Sequence, residues 1–145
     1  MNPTATFRHQ HARILAMLAQ VEPMLDAHTV LADTASIHLQ SLHLMRWVLV
    51  HLADEEQSLY PTLDTLRGPS ARTVARFRDE TAALGPMIES YEQRFALRET
   101  LLAAPETFVD ETRQLVGWLR IRFEAEEREL YPLADLTAVD APARH

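Results

Sequence analysis

The sequence predicts an all-α protein, an up-down-up-down four-helix bundle built from two related helical hairpins. Only three glycines occur in 145 residues, which leaves little material for hairpin turns between strands. Four long segments, roughly 4–27, 34–66, 70–103 and 106–131, are separated by short connections. Each segment carries apolar residues at alternating steps of three and four, the spacing of one face of an amphipathic helix.

Helix starts and breaks mark the segment boundaries. Asp33-Thr34 can cap a helix start, Gly68-Pro69-Ser70 is a strong break followed by a capping serine, and Ala104-Pro105 places a proline where a helix begins. Pro23 and the pair Gly85-Pro86 predict bends in the first and third helices, because proline removes a backbone donor. We therefore expect one bundle over residues 1–135 and a frayed tail over 136–145.

The chain repeats itself. Glu55-Glu56-Gln57-Ser58-Leu59-Tyr60-Pro61 returns 71 residues later as Glu126-Glu127-Arg128-Glu129-Leu130-Tyr131-Pro132, with five identities in register. The spacing predicts two equivalent hairpins related by a pseudo-twofold axis. Such symmetry would bring Glu55 and Glu126 to matching places on opposite helices.

Polar residues interrupt the apolar stripes at one level of the bundle. The interruptions lie near the starts of the first and third helices and near the ends of the second and fourth: His11, Thr81, His51, Glu55, Arg122 and Glu126. In an up-down bundle those four helix ends meet at one end of the molecule. Buried carboxylates and a guanidinium are costly unless they are paired or bind a metal.

A metal site would explain this layer. His51 and Glu55 are spaced i, i+4, so both side chains point from one face of a helix. His11 and Glu126 can approach the same point from two other helices. Two imidazoles and two carboxylates are suitable ligands for iron, zinc or manganese, with positions left for water.

The sequence resembles the hemerythrin-like family, the HHE cation-binding bundles. The resemblance rests on an early histidine, on His51-Leu-Ala-Asp-Glu55-Glu56-x-x-Leu59-Tyr60-Pro61, and on the second block Glu126-Glu127-x-x-Leu130-Tyr131-Pro132, and it covers about residues 7–133. It implies a bundle that holds two irons between its helices, with bridging carboxylates and capping histidines. It also implies roles in oxygen binding, in sensing of oxygen or iron, and in the response to nitrosative stress.

Carried over by position, the family's ligand set is incomplete in this chain. His11 and His51 match family histidines, and Glu55 and Glu126 match the two bridging carboxylates. Thr81 takes the place of a histidine on the third helix, and Arg122 stands where the repeat places the counterpart of His51. These losses remove the ligands of one metal and spare those of the other.

Arg122 suggests a specific hypothesis for this altered centre. Its guanidinium would lie where a second iron would sit and would bond both Glu55 and Glu126, since arginine suits bidentate carboxylate contacts. The four remaining ligands would then hold one divalent metal, iron first among the candidates, or none. We do not expect a two-iron centre.

Three functional classes follow. The first is a metal-free regulatory or interaction module whose layer is a buried salt-bridge network, acting on an unknown protein partner. The second is a cation-binding protein that holds one metal through His11, His51, Glu55 and Glu126, with a sensing role for iron, oxygen or nitrosative stress. The third, an enzyme or oxygen carrier, needs two irons, and Thr81 and Arg122 argue against it.

Composition excludes several other classes of function. The 14 Lys and Arg residues against 21 Asp and Glu give a net charge of −7, which argues against binding to nucleic acid or to a membrane surface. The chain has no cysteine, so thiolate metal ligands and thiol nucleophiles are excluded. No apolar stretch is long enough to span a bilayer and no signal-peptide pattern opens the chain, so we expect a cytoplasmic protein.

Overall fold

The protein is all-α, as predicted. The computed structural model describes residues 3–140, and within that range it contains no strand. Eight α-helices alternate with a 3₁₀ turn, Glu22–Met24, and two π-helical turns, Glu55–Leu59 and Glu126–Leu130. The α-helices are α1 Ala5–Val21, α2 Ala27–Ala32, α3 Thr34–Asp54, α4 Tyr60–Leu63, α5 Pro69–Arg94, α6 Arg98–Ala103, α7 Pro105–Ala125 and α8 Tyr131–Asp140.

Pro23 acts differently from the prediction. Pro23 does not bend the first helix, because α1 ends at Val21 and Pro23 lies in the 3₁₀ turn that follows. Pro86 lies inside α5, which continues to Arg94 as one helix. The predicted third segment, residues 70–103, is divided near Phe95, where the side chain of His38 lies 2.9 Å from the carbonyl oxygen of Phe95. This side chain satisfies a terminal carbonyl of α5, so the helix ends there without glycine or proline.

The last helix extends further than the sequence indicated. The predicted tail begins at residue 136, whereas α8 continues through Asp140. Residues 141–145 of the predicted tail lie outside the described residues. The boundary at 135 is therefore not the end of the helical structure.

The internal repeat extends well beyond its seven-residue motif. Helices α2 and α6, helices α3 and α7, and the two π-helical turns begin and end at residues that are 71 positions apart. From α2 to the first π-helical turn, each element of the first half thus has an equivalent element in the second half. The two glutamates of the repeat open the two π-helical turns at equivalent places.

The polar layer separates two apolar clusters. The larger cluster includes Ile14, Leu44 and Leu119. The smaller one contains Phe7, Leu59, Tyr60, Leu63, Val74, Phe77, Leu130, Tyr131 and Ala134. Between them lie side chains that are buried although they are ionisable: His11, His51, Glu55, Arg122 and Glu126. Apolar packing on both sides thus keeps this charged layer away from water.

The described helices include none that combines the length and apolar character required to cross a membrane.

Candidate metal centre

The two π-helical turns shape the centre. Glu55 follows the last residue of α3, and its backbone N–H reaches the carbonyl oxygens of both His51 and Leu52. Glu126 has the same place after α7, with its N–H directed to the carbonyls of Arg122 and Phe123. A π-helical turn accommodates one extra residue and shifts the side chains that follow it, and such turns are frequent at functional sites. Both carboxylates are fully buried at the start of these turns.

The four predicted ligands converge on one point. One ligand atom from each of His11, His51, Glu55 and Glu126 lies within 4.8 Å of all the others. The two Nε2 atoms of the histidines are 3.0 Å apart, and the Nε2 of His11 is 2.9 Å from Oε1 of Glu126. The Nε2 of His51 lies 3.4 Å from Oε2 of Glu55 and 3.6 Å from Oε1 of Glu126. Three helical segments that are far apart in sequence therefore contribute side chains to one cluster of four ligands.

These separations fit a metal ion. Metal–ligand bonds of ~2.1 Å place neighbouring ligand atoms about 3.0 Å apart in an octahedron and about 3.4 Å apart in a tetrahedron. The Nε2 atom of His11 has one bonding position but has the His51, Glu126 and Tyr131 side chains within 3.0 Å. A single proton cannot satisfy all of these contacts, whereas a central cation can.

Unpaired buried atoms support the same conclusion. Oε1 of Glu55 and Oε2 of Glu126 are buried without a hydrogen-bond partner. They are the second oxygens of the two carboxylates, because Oε2 of Glu55 and Oε1 of Glu126 make the contacts within the ligand cluster, and Oε2 of Glu126 lies 3.6 Å from Nη2 of Arg122. A buried acceptor without a donor is costly in free energy, and a cation bound by the two carboxylates lowers this cost. The residues present therefore fit one metal ion.

Gln10 fixes the orientation of one ligand. The Nδ1 of His51 lies 2.7 Å from Oε1 of Gln10, and the amide nitrogen of Gln10 donates to Asp54 at 2.7 Å. Since the amide oxygen only accepts, Nδ1 of His51 carries the proton. This arrangement directs Nε2 to the centre, as outer contacts of metal-bound histidines commonly do.

The two histidines differ in their proton affinity. Burial and the neighbouring His51 lower the pKa of His11 to about 4. Burial acts in the same direction on His51, but its contacts with Glu126 and Glu55 outweigh burial and raise its pKa to about 9. Burial, together with the charge of Glu126, raises the pKa of the Glu55 carboxyl. In the metal-free centre, His51 therefore carries a positive charge at neutral pH.

The other half of the layer contains Arg122, and here the sequence hypothesis is partly wrong. Nη2 of Arg122 lies 3.6 Å from Oε2 of Glu126, as expected. Its remaining ion pair is with Glu80 at 3.1 Å, and the ion pairs of the described residues include none between Arg122 and Glu55. The guanidinium points instead towards α5, where it donates to the carbonyl oxygen of Phe77 and to Thr81. Glu55 accepts its hydrogen bond from Tyr131.

The two halves correspond residue by residue. Thr81 on α5 follows His11 on α1 by 70 positions, and Arg122 on α7 follows His51 on α3 by 71. Even the outer contact is reproduced: Gln10 contacts His51, and Glu80, the residue before Thr81, contacts Arg122. One half therefore presents metal ligands, while the other presents a guanidinium held by an acidic partner.

Solvent access differs between the halves. A groove of about 500 Å³ runs between α5 and α7 and is lined by Phe77, Glu80, Trp118, Ile121 and Arg122, among others. None of the four predicted ligands lines this groove. His11 is instead stacked on Phe123, with ring centroids 4.1 Å apart. The ligand half is thus enclosed, and the Arg122 half faces the groove.

Sequence reasoning missed three residues of the centre. Tyr131 contacts His11 and Glu55, Gln10 contacts His51, and Glu80 contacts Arg122. Signals existed for two of them, since Tyr131 belongs to the repeated motif and Gln10 precedes His11. Neither signal specifies a direction for the side chain.

The family comparison agrees with this geometry. The sequence profile of the hemerythrin HHE cation binding domain matches residues 2–134, most of the chain. No curated protein and no solved structure matches it. The matched range of this chain includes the two glutamate blocks and both histidines that form the buried cluster. The chain is therefore a member of the hemerythrin HHE cation-binding domain family.

Proposed function

We propose that this protein binds a single transition-metal cation through His11, His51, Glu55 and Glu126 and acts as a non-enzymatic binding or sensing protein. The observation that carries the proposal is the convergence of four buried ligand atoms within 4.8 Å, with one oxygen of each carboxylate left without a hydrogen bond. Imidazole and carboxylate ligands suit iron, zinc or manganese. A bound ion of this kind supplies a Lewis acid with positions open to a small ligand.

Arg122 accounts for the single metal. Its fixed positive charge lies 3.6 Å from Glu126 and takes the place of a second cation beside that carboxylate. Thr81, which contacts Arg122, provides no imidazole on this side. A second metal ion would have to approach the guanidinium, and two cations at short range repel strongly in a buried site. The proposal therefore excludes reversible oxygen carriage by a metal pair.

A metal-free regulatory module is the second candidate. The observation in its favour is charge balance, because protonated His51 and Arg122 together match the two buried carboxylates. In that case the layer is structural and the protein acts through its surface. Metal content separates the two candidates.

The test is metal analysis of protein purified without chelator or affinity metal and reloaded with Fe(II), Zn(II) or Mn(II), the iron under anaerobic conditions. We expect about one metal ion per chain, as the proposal requires. Glu55→Gln keeps the shape of the side chain and removes its charge, so we expect it to lose the metal. Glu56→Gln is the matched control, because Glu56 is the exposed neighbour of Glu55 and should keep full loading. Absence of metal under every loading condition would contradict the proposal and favour the salt-bridge network.

A further inference from the structure

The hydroxyl group of Tyr131 lies among the metal ligands. Its oxygen is 2.7 Å from Oε2 of Glu55, to which it donates, and 2.9 Å from Nε2 of His11. The side chain is fully buried in the smaller apolar cluster. The phenol oxygen is therefore as close to these two atoms as the Nε2 atoms of His11 and His51 are to each other, at 3.0 Å.

The contacts form a closed ring of four atoms. The successive separations from the Tyr131 oxygen to Glu55 Oε2, His51 Nε2, His11 Nε2 and back are 2.7, 3.4, 3.0 and 2.9 Å. The separations of 2.9, 3.0 and 3.4 Å are those expected for neighbouring ligands around one ion with bonds of ~2.1 Å, and the shorter one, between Tyr131 and Glu55, is a hydrogen bond that metal binding would replace. Glu126, which contacts both histidines, completes a set of five donors.

Metal binding would change the bonding of Tyr131. When Nε2 of His11 binds the ion, it can no longer form its hydrogen bond with the phenol oxygen. The oxygen then has a free lone pair beside the cation. A cation at this position would stabilise a coordinated phenolate, as bound metal ions do for other acidic ligands.

The repeat provides a natural comparison. Tyr60 is the counterpart of Tyr131 and faces the other half of the layer. Its oxygen lies 3.4 Å from both Nη2 of Arg122 and Oγ1 of Thr81. Two tyrosines in equivalent motifs therefore have different neighbours, one a set of metal ligands and the other a guanidinium.

We infer that Tyr131 is a fifth ligand, which binds Fe(III) through its phenolate oxygen. This inference rests on the proposed single-metal function. On binding, the phenol O–H bond breaks, its proton leaves to the solvent, and the oxygen electron pair forms the metal bond. No electron is transferred, because iron enters and remains in the ferric state.

The experiment adds Fe(III), supplied as its nitrilotriacetate complex, to the full chain and measures iron content, visible absorption and resonance Raman scattering. We expect about one iron per chain with a phenolate-to-iron charge-transfer band. Tyr131→Phe should lose the band and the phenolate vibrations and bind iron about 10- to 100-fold more weakly, and Tyr60→Phe should keep both signals. Zinc content and circular dichroism of each variant check that the fold and the other four ligands are intact.

The outcomes separate the two claims. Iron bound without phenolate vibrations, or a band that persists in Tyr131→Phe, overturns the fifth ligand and leaves the four-ligand site standing. Loss of the band in Tyr60→Phe together with its retention in Tyr131→Phe would show that Tyr60, on the Arg122 side of the layer, provides the phenolate. This result would also overturn the inference. If neither Fe(III), Fe(II) nor Zn(II) binds the wild-type chain, the proposed function itself fails and the fifth ligand fails with it.

Discussion

Replacing Arg122 with methionine tests whether the guanidinium balances the charge of the buried layer. Arg122 is 7% exposed, lies 3.6 Å from the fully buried Glu126, and donates to the carbonyl oxygen of Phe77 at 3.0 Å. Arg122→Met keeps most of the apolar stem but leaves Glu126 with less compensating charge. Removing one partner of a buried ion pair typically costs about 3–5 kcal/mol.

That cost is large for a domain of this size. For roughly 150 residues, each kcal/mol lowers the melting temperature by about 2–4 °C, so the loss of about 3–5 kcal/mol predicts a fall of about 6–20 °C. Arg78→Met is the matched control, because Arg78 pairs with Asp64 at 2.9 Å on the exposed surface. Exposed pairs of this kind contribute about 0–1 kcal/mol. Urea denaturation of the metal-free variants measures the loss in the free energy of unfolding for each, and thermal denaturation measures the fall in melting temperature.

Zinc adds a second, independent readout. A bound cation compensates Glu126 and is no longer repelled by Arg122, so Arg122→Met should bind Zn(II) about tenfold more tightly than the wild type. Linkage then requires that saturating zinc shrink the stability loss by about 1.4 kcal/mol. If Arg122→Met cost no more than Arg78→Met in the metal-free state, or bound zinc more weakly, the reasoning about the guanidinium would be refuted.

Three further predictions follow from particular contacts. Thr81→His combined with Arg122→His should raise metal content from about one to about two ions per chain, and unchanged content would show that these positions do not complete a second site. Gln10→Ala should weaken zinc binding about 10- to 100-fold because His51 loses its outer partner, whereas the exposed Gln57→Ala should leave it unchanged in the same titration. Burial raises the pKa of Tyr91 to about 12, and its phenol ionises near pH 10 in the unfolded chain. The free energy of unfolding should therefore fall by about 2 kcal/mol between pH 10 and 12, and urea curves of Tyr91→Phe should lack this part of the loss.

The helical architecture could be predicted because its signals are local. Apolar spacing of three and four residues recurs along each long helix, and the repeated glutamate motif relates the two hairpins. The same patterns indicated which polar residues lie in the core, since His11, His51, Glu55 and Glu126 occupy stripe positions. Their burial in one cluster confirms that part of the prediction.

The helix ends were harder to predict for a physical reason. The break after α5 depends on His38, which is 57 residues from the carbonyl that it contacts. The π-helical turns at Glu55 and Glu126 depend on packing around the buried carboxylates, and the turn signals of the sequence do not distinguish them from ordinary helix.

The sequence by itself thus determined the fold class, the family and the identity of four candidate ligands, because periodicity and motif spacing place residues on helix faces. Only the tertiary structure decided the partners of those residues. Arg122 turns to Glu80 and Thr81 rather than to Glu55, and Tyr131 takes the hydrogen bond to Glu55. Such choices depend on distances between helices and on side-chain directions, which residue spacing along one helix does not fix.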